Sequence, residues 1–334
     1  MRIDWGGVGV FRDYLAGRAA GSEVLAHPAY APVREHARLA YGHELTPADL
    51  DRAVEGEESP MFGLRAVRQN LPRIDEFVAY GRKAAPRWLD QAERSLARLA
   101  PADGAQAAEL ADVTVYPIIG YDAGIGLAGA ACLNVNWATY LDEPEEFGYV
   151  MIHELCHVLY QAAGRPFPGI AATQQPDDWH RLFCRMTQDE GFATWAPLAA
   201  RRAAGHLGDD SNPISCDYAV LRRPAVLAEH LAAWRETERK LRAGGKPPAE
   251  QKLPAGDAPG DGPVRRREDY IELVFGPRRL TYRAGAALVR SVEAQGGQAA
   301  VRRLFAAPAV EFCTPLIAGS NLVESSLGDP AQEH

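Results

Sequence analysis

Long apolar runs are missing from this chain of 334 residues. A transmembrane helix needs about 20 consecutive, mostly apolar residues, so we expect no membrane partner. Near the N-terminus, Asp4 and Asp13 interrupt the segment where a secretory signal peptide has an unbroken apolar core. The sequence therefore predicts neither a signal peptide nor a membrane-spanning helix.

Paired cysteines and an excess of positive charge are also missing. The five cysteines are odd in number and scattered, without C-x-x-C spacing, which does not fit a disulfide framework. Reduced thiols and a cytoplasmic location are the expectation. The 36 Lys and Arg residues against 44 Asp and Glu residues give a net charge of -8. Proteins that bind nucleic acid usually carry a basic face, so we expect no nucleic acid as partner.

Hydrophobic spacing predicts a mostly helical chain with a small sheet. Residues up to about 100 have helical spacing, whereas 112–118 are rich in β-branched and aromatic residues, which indicates a strand. A glycine-rich connection, 120–129, leads to residues 131–137, where apolar and polar residues alternate as in a half-buried strand. We interpret 131–137 as a candidate edge strand. The fold class predicted is α+β.

Two long helices follow the predicted sheet. The first extends from a cap at Asp142 to Gly164, with acidic residues in its first turn, and the second covers about 177–202. Residues 244–266 are rich in Gly and Pro and predict a mobile loop. The last predicted helices are 224–242, 282–294 and 298–305. We predict three regions, which are a helical region 1–104, a core 105–203 and a helical lobe 204–334.

The first long helix contains the motif H-E-x-x-H, formed by His153, Glu154 and His157. Residues four positions apart lie on one face of a helix, so two imidazoles there can bind one zinc ion at about 2.0–2.1 Å. Glu154 lies beside this line and can take a proton from the water that zinc activates. The motif predicts a Zn2+ site with Glu154 as catalytic base.

A catalytic zinc ion needs a third protein ligand. The metzincin extension of the motif would require Gly at 160 and His at 163, where this chain has Tyr160 and Ala163. Two downstream residues remain as candidates, His180 and Glu190. The spacing alone leaves both open.

The segments H-E-L-C-H at 153–157 and D-E-G-F-A-T-W at 189–195 resemble the gluzincin group of zinc metallopeptidases. The second is similar to the E-G-F-A-[ST]-[YW] stretch of M1-type aminopeptidases, and the overall layout resembles uncharacterised zinc-dependent proteases of the gluzincin type. The resemblance implies a zincin core, similar to that of thermolysin. It also implies that His153, His157 and Glu190 bind the metal.

This chain departs from the M1-type pattern in three respects. His157 and Glu190 are 33 positions apart, which is longer than in those enzymes. Thr194 stands where gluzincins often have an Asp that orients the first His, and the G-x-M-E-N segment that grips a free amino terminus is missing. The resemblance therefore does not extend to aminopeptidase specificity.

Further residues are candidates for contacts with a substrate. Peptide hydrolysis places negative charge on the former carbonyl oxygen, and a hydrogen-bond donor there stabilises it. Related enzymes use Tyr or His, which makes Tyr282 the candidate here, with Arg283 and Tyr270 as weaker ones. The strand 131–137, with its polar Asn134 and Asn136, can pair with an extended substrate backbone.

Gly124, Gly126 and Gly129 match the G-x-G-x-x-G fingerprint of dinucleotide-binding sites. That fingerprint requires a helix directly after it, whereas the alternating residues 131–137 predict a strand. We therefore expect no dinucleotide site. The sequence predicts a zinc metallopeptidase acting on a peptide or protein substrate. A non-catalytic zincin-like binding protein and a hydrolase of a non-peptide amide remain the alternatives.

Overall fold

The computed structural model describes residues 1–99, 110–173, 176–243 and 278–319. Within it the chain forms two compact units. The first unit contains Met1–Ala171 and Ala196–Gly205, and the second contains Ala172–Trp195 and His206–His334. The predicted loop 244–266 lies outside the described residues, and the three predicted regions stay a prediction.

The first unit is helical around one small sheet. Its strands are β1 (Arg2–Ile3), β2 (Thr114–Ile118), β3 (Gly124–Leu127) and β4 (Ala130–Asn134). Its helices are α1 (Gly6–Leu15), α2 (Gly21–Ala26), α3 (Ala31–His36), α4 (Pro47–Val54), α5 (Val67–Leu96), α6 (Ala138–Asp142), α7 (Glu145–Ala162) and α9 (Leu198–Ala203). Three short turns of 3-10 or π helix complete it, at Pro28–Tyr30, Ala37–Tyr41 and Ile170–Ala172. The α+β expectation therefore agrees with the elements observed.

The four strands form one mixed sheet in the order β1-β2-β4-β3. β1, β2 and β4 are parallel, and β3 runs antiparallel to β4. Every residue of β4 is buried. The expectation that this segment is the edge strand is therefore wrong, because β3 covers its outer side. The edge strand on this side of the sheet is β3, which forms within the stretch 120–129 that was expected to be a connection, and β1 forms the opposite edge.

The buried helix α7 carries the H-E-x-x-H motif. It begins at Glu145, directly after Pro144, and ends at Ala162. The predicted cap at Asp142 is wrong, because Asp142 is the last residue of α6. Most of the residues of α7 are buried on all sides, as expected for a helix in the interior of a unit. Within the motif, Glu154 and His157 are buried and His153 is half-buried.

The second unit is built from helices alone in the part of it that the structure describes. These are α8 (Pro176–Trp195), α10 (Pro213–Val220), α11 (Pro224–Arg242), α12 (Leu280–Ala306) and α13 (Ala309–Ile317). α12 contains both predicted C-terminal helices, with a break in helical geometry at Gly297, where φ is 60°. None of the helices in the described ranges is long and apolar enough to cross a membrane.

Two glycines allow α8 and α12 to approach each other closely. A Cβ on Gly191 would lie 2.5 Å from Gly285 Cα, which is closer than real side-chain atoms come. Gly191 belongs to the D-E-G-F-A-T-W segment and Gly285 follows Tyr282 by three residues. The two segments that were singled out in the sequence therefore meet at a backbone crossing, which fixes the position of Glu190 relative to Tyr282 within this unit.

Candidate metal centre

The two histidines of the motif converge on one point. His153 and His157 are one turn apart on α7, and their ring centroids are 4.8 Å apart with the planes at 79°. The Nε2 atoms of the two rings are 3.1 Å apart. Two nitrogens bound to one tetrahedral zinc ion at 2.0–2.1 Å are about 3.3–3.4 Å apart. The observed separation is close to what one shared ion requires.

Glu190 supplies the third potential ligand. It is a residue of α8 and is 4% exposed. His153, His157 and Glu190 each offer a ligand atom, and these atoms lie within 4.8 Å of one another. Two imidazole nitrogens and one carboxylate oxygen are a donor set that zinc accepts. The three residues named by the resemblance are therefore a group that could hold a metal ion, and their role as ligands stays a prediction.

The other candidate for the third ligand, His180, has a different partner. Its Nε2 atom lies 2.9 Å from Glu238 Oε1, and the thiol of Cys184 is 3.7 Å from the same nitrogen. His180 does not belong to the group formed by His153, His157 and Glu190. Of the two candidates, Glu190 alone joins the pair of motif histidines.

Two glycines of β3 allow this strand to lie against Glu154 and His157 of α7. A Cβ on Gly124 would lie 2.5 Å from Glu154 Oε1. A Cβ on Gly126 would lie 2.9 Å from His157 Cβ and would overlap the backbone carbonyl of Glu154. Only glycine lets β3 lie this close to α7, so these glycines have a packing role. This role was not predicted from the sequence, although glycine within a strand often marks a close backbone approach.

Two titratable groups near Glu154, Cys132 and Tyr140, are neutral. Burial, and then the negative charge of Glu154, raises the pKa of the Cys132 thiol and of the Tyr140 hydroxyl well above their usual values. Tyr140 donates to the carbonyl of Ala123 at 3.0 Å, and Cys132 lies 3.1 Å from the carbonyl of Ala29. Both therefore stay protonated at neutral pH, and neither adds a second negative charge beside Glu154.

A buried ion pair holds the start of α7. Glu146 and Arg201 have side-chain exposures of 3% and 1%, and both guanidinium Nη atoms bind the carboxylate, at 2.6 and 2.8 Å. The Arg201 guanidinium also lies over the ring of Tyr149, 4.7 Å from its centroid. Two-pronged pairing of this kind fixes orientation as well as distance. It ties α7 to α9 two turns before the motif.

Tyr282 lies near the start of α12 and is 7% exposed. The guanidinium of Arg279 is 3.6 Å from the centroid of its ring, and Arg279 Nε donates to Asp217 at 2.5 Å. Arg283, a weaker candidate, binds Asp217 and the ring of His230, at 2.8 and 2.9 Å. The contact with Arg279 orients the ring of Tyr282, and its predicted role as an oxyanion donor stays a prediction. Tyr270 lies outside the described residues.

Asn134 and Asn136 have structural roles. Asn134 Oδ1 accepts from the backbone of Gly120 at 2.8 Å and its Nδ2 donates to the carbonyl of Gly63 at 3.3 Å. Asn136 Nδ2 also donates to Gly63, at 3.0 Å, and its Oδ1 accepts from Asn70 at 2.9 Å. Both amides hold loops onto the sheet. The expectation that their strand pairs with a substrate backbone is not supported, because β4 lies between β2 and β3 in the sheet.

Comparisons with known proteins return no match, whether against protein-family models, curated proteins or solved structures. The resemblance to gluzincins therefore depends on the short segments 153–157 and 189–195. The functional assignment depends on the chemistry and geometry of the residues themselves.

Proposed function

We propose that this protein is a zinc-dependent hydrolase that cleaves peptide bonds. The observation that carries the proposal is the convergence of the two motif histidines, whose Nε2 atoms are 3.1 Å apart. The Glu190 carboxylate completes a three-ligand set within 4.8 Å. A catalytic zinc site has three protein ligands and one open position, which is the number of ligands found here.

His153, His157 and Glu190 would hold the metal. Bound there, zinc would act as a Lewis acid toward a water molecule and a substrate carbonyl. A purely structural zinc site has four protein ligands and needs no base beside it. The presence of Glu154 next to a three-ligand set therefore favours a catalytic centre over a structural one.

Glu154 is the proposed general base. Its carboxylate lies against Gly124 of the edge strand, so a substrate whose backbone pairs with β3 would pass directly beside it. Glu154 would take the proton from the attacking water and deliver it to the leaving amine. Tyr282 is the proposed hydrogen-bond donor to the carbonyl oxygen, held by the guanidinium of Arg279 on its ring.

We also propose that the protein works in the cytoplasm. The five cysteines are free thiols, and four of them are buried. This agrees with a reducing compartment, where thiols persist. The substrate class within this proposal is a peptide or protein.

The experiment is a comparison of the wild type with Glu154→Gln. Both proteins are loaded with zinc, their metal content is measured, and cleavage of a mixed peptide library is followed by mass spectrometry. We expect equal zinc content and a loss of cleavage of about 100-fold or more in the variant, since general bases contribute about 10²–10⁴-fold. Equal cleavage by both proteins would refute the assigned base. Zinc binding by a wild type that cleaves no peptide would favour a non-catalytic binding protein.

A further inference from the structure

The outer edge of β3 has a defined set of backbone groups. Asn134 N donates to the carbonyl of Ala123 at 3.1 Å, and Ile125 lies opposite Cys132 in the register. In an antiparallel pair, the hydrogen-bonding groups of successive residues point alternately to the partner strand and away from it. The backbone groups of Gly124 and Gly126 therefore point away from β4, toward any strand that would be added to the sheet. Ala128 follows β3 in a turn, with φ at 54°, and its N–H faces Gln161.

A side chain already occupies part of this edge. Gln161 Nε2 donates to the carbonyl oxygen of Gly126 at 2.6 Å, and Gln161 Oε1 accepts from the backbone N–H of Ala128 at 3.3 Å. An antiparallel added strand would use the same two groups, the carbonyl of Gly126 through the residue opposite it and the N–H of Ala128 through a residue two positions along. The carboxamide of Gln161 therefore occupies two backbone groups that an added strand would otherwise bind.

Gln161 reaches this position from the motif helix. It follows His157 by four residues and Glu154 by seven, so it lies on the same side of α7 two turns after the proposed base. At the other end of β3, Gly124 lies beside the Glu154 carboxylate. The edge is thus divided into an open part at Gly124 next to the proposed base, and a part closed by Gln161.

We propose that Gln161 sets the length of substrate that the edge strand can bind. An extended peptide can form a full pair of hydrogen bonds only opposite Gly124, and the next such position, opposite Gly126, is blocked. This inference rests on the proposed function and deepens it. On the side of the scissile bond that faces Gln161, residues of the peptide beyond the second form no further backbone hydrogen bonds with β3. They therefore add no binding affinity, so short peptides are the preferred substrates.

Space for a longer peptide exists directly beyond Gln161. A cavity of about 370 Å³ is lined by Gln161 together with Val113, Ala128, Val158 and Ala162. Shortening Gln161 would join this cavity to the open part of the edge. A peptide could then continue along β3 and pair with the freed groups of Gly126 and Ala128.

The test is a series of peptides extended by one residue at a time, separately at each end, with kcat/KM measured for each. Wild-type kcat/KM is expected to stop rising after the second residue on one side. In Gln161→Ala, kcat/KM is expected to rise by a further factor of about 3 to 10 for peptides extended on that side alone, because one or two backbone hydrogen bonds become available. Gln161→Met is the matched control, since it keeps the bulk and removes the amide, and its length profile is expected to follow the wild type.

Binding of the same peptides to Glu154→Gln, with and without Gln161→Ala, gives a second readout that needs no turnover. A wild-type kcat/KM that keeps rising with length on both sides would overturn the inference, and this holds even where Gln161→Ala fails to fold. Identical length profiles for Gln161→Ala and wild type would also overturn it. A wild type that neither binds nor cleaves any peptide would instead overturn the proposed function.

Discussion

Gly126 offers the sharpest single-residue test of how the site is assembled. A methyl group at this position would lie 2.8 Å from the carbonyl carbon of Glu154 and 2.9 Å from Cβ of His157. Both neighbours belong to the backbone or the base of a side chain, so neither can rotate away. Gly126→Ala therefore has to push β3 away from α7, in the turn that carries the proposed base and the second histidine.

The expected cost of Gly126→Ala follows from two opposing effects. Overpacking a tight interior costs typically 1–3 kcal/mol, and a clash with backbone falls at about the upper end of that range. Replacing glycine by alanine also lowers the conformational entropy of the unfolded chain, which raises the free energy of unfolding by about 0.4–1 kcal/mol. The net loss in the free energy of unfolding is about 2 kcal/mol. For a unit of this size, that lowers Tm by roughly 4–8 °C.

Gly9 provides the control. It lies in α1 of the same unit, and a Cβ there would meet no heavy atom within 4 Å. Gly9→Ala is expected to raise the free energy of unfolding by about 0.5–1 kcal/mol through helix propensity. Both variants are measured by calorimetry together with zinc content. If Gly126→Ala is as stable as the wild type and keeps its zinc, the close approach of β3 to α7 is refuted.

Three further predictions concern buried charges. Glu146→Gln leaves Arg201 without its carboxylate in the interior and is expected to cost roughly 3–5 kcal/mol in urea unfolding; a loss below about 1 kcal/mol would contradict the pair's role. Asp217→Asn removes the carboxylate that binds Arg283. Urea unfolding is expected to show a decrease in the free energy of unfolding of roughly 3–5 kcal/mol here too. Burial, and then the charge of Arg283, lowers the pKa of His230 from 6.5 to about 4. The folded state therefore favours the neutral ring, and this stabilisation is complete above pH 6.5 and is lost as the pH falls toward 4. Unfolding free energies of the wild type and His230→Asn between pH 4 and 7 are expected to differ in slope, and parallel curves would argue against the shifted pKa.

The local signals in the sequence predicted the motif helix well. Acidic residues at its start, an apolar run and Gly164 at its end are all local, and α7 covers Glu145–Ala162. The convergence of His153 and His157 also follows from the i, i+4 spacing alone. These features depend on residues that are close in sequence, which is why a single chain is enough to predict them.

The edge strand could not be predicted in the same way. β3 has two glycines among its four residues, and glycine is depleted in strands because it has no side chain to pack. Here glycine is present because the strand lies against Glu154 and His157, which is a contact between distant segments. β1 was missed for a similar reason, since its two residues are a strand only through pairing with Thr114 and Val115.

Glu190 was predicted as the third ligand from the resemblance and not from spacing. His180 and Glu190 are both on α8 and equally plausible from the sequence. The structure distinguishes them through Glu238, whose carboxylate forms a hydrogen bond with the ring of His180. Glu238 is 58 residues from His180 in the chain. The crossing of Gly191 with Gly285 is similarly remote in sequence. Interactions between distant segments decide the site, and the local pattern does not contain them.

The most direct test of the central claim is the metal content of the purified protein by inductively coupled plasma mass spectrometry. After incubation with Zn2+ and removal of excess metal, the wild type is expected to hold about one zinc ion per chain. The double variant His153→Ala/His157→Ala is expected to hold none, while His43→Ala, which alters a histidine bound to Asp49, keeps the wild-type content. A wild type without bound zinc, or a double variant that retains it, would contradict the account.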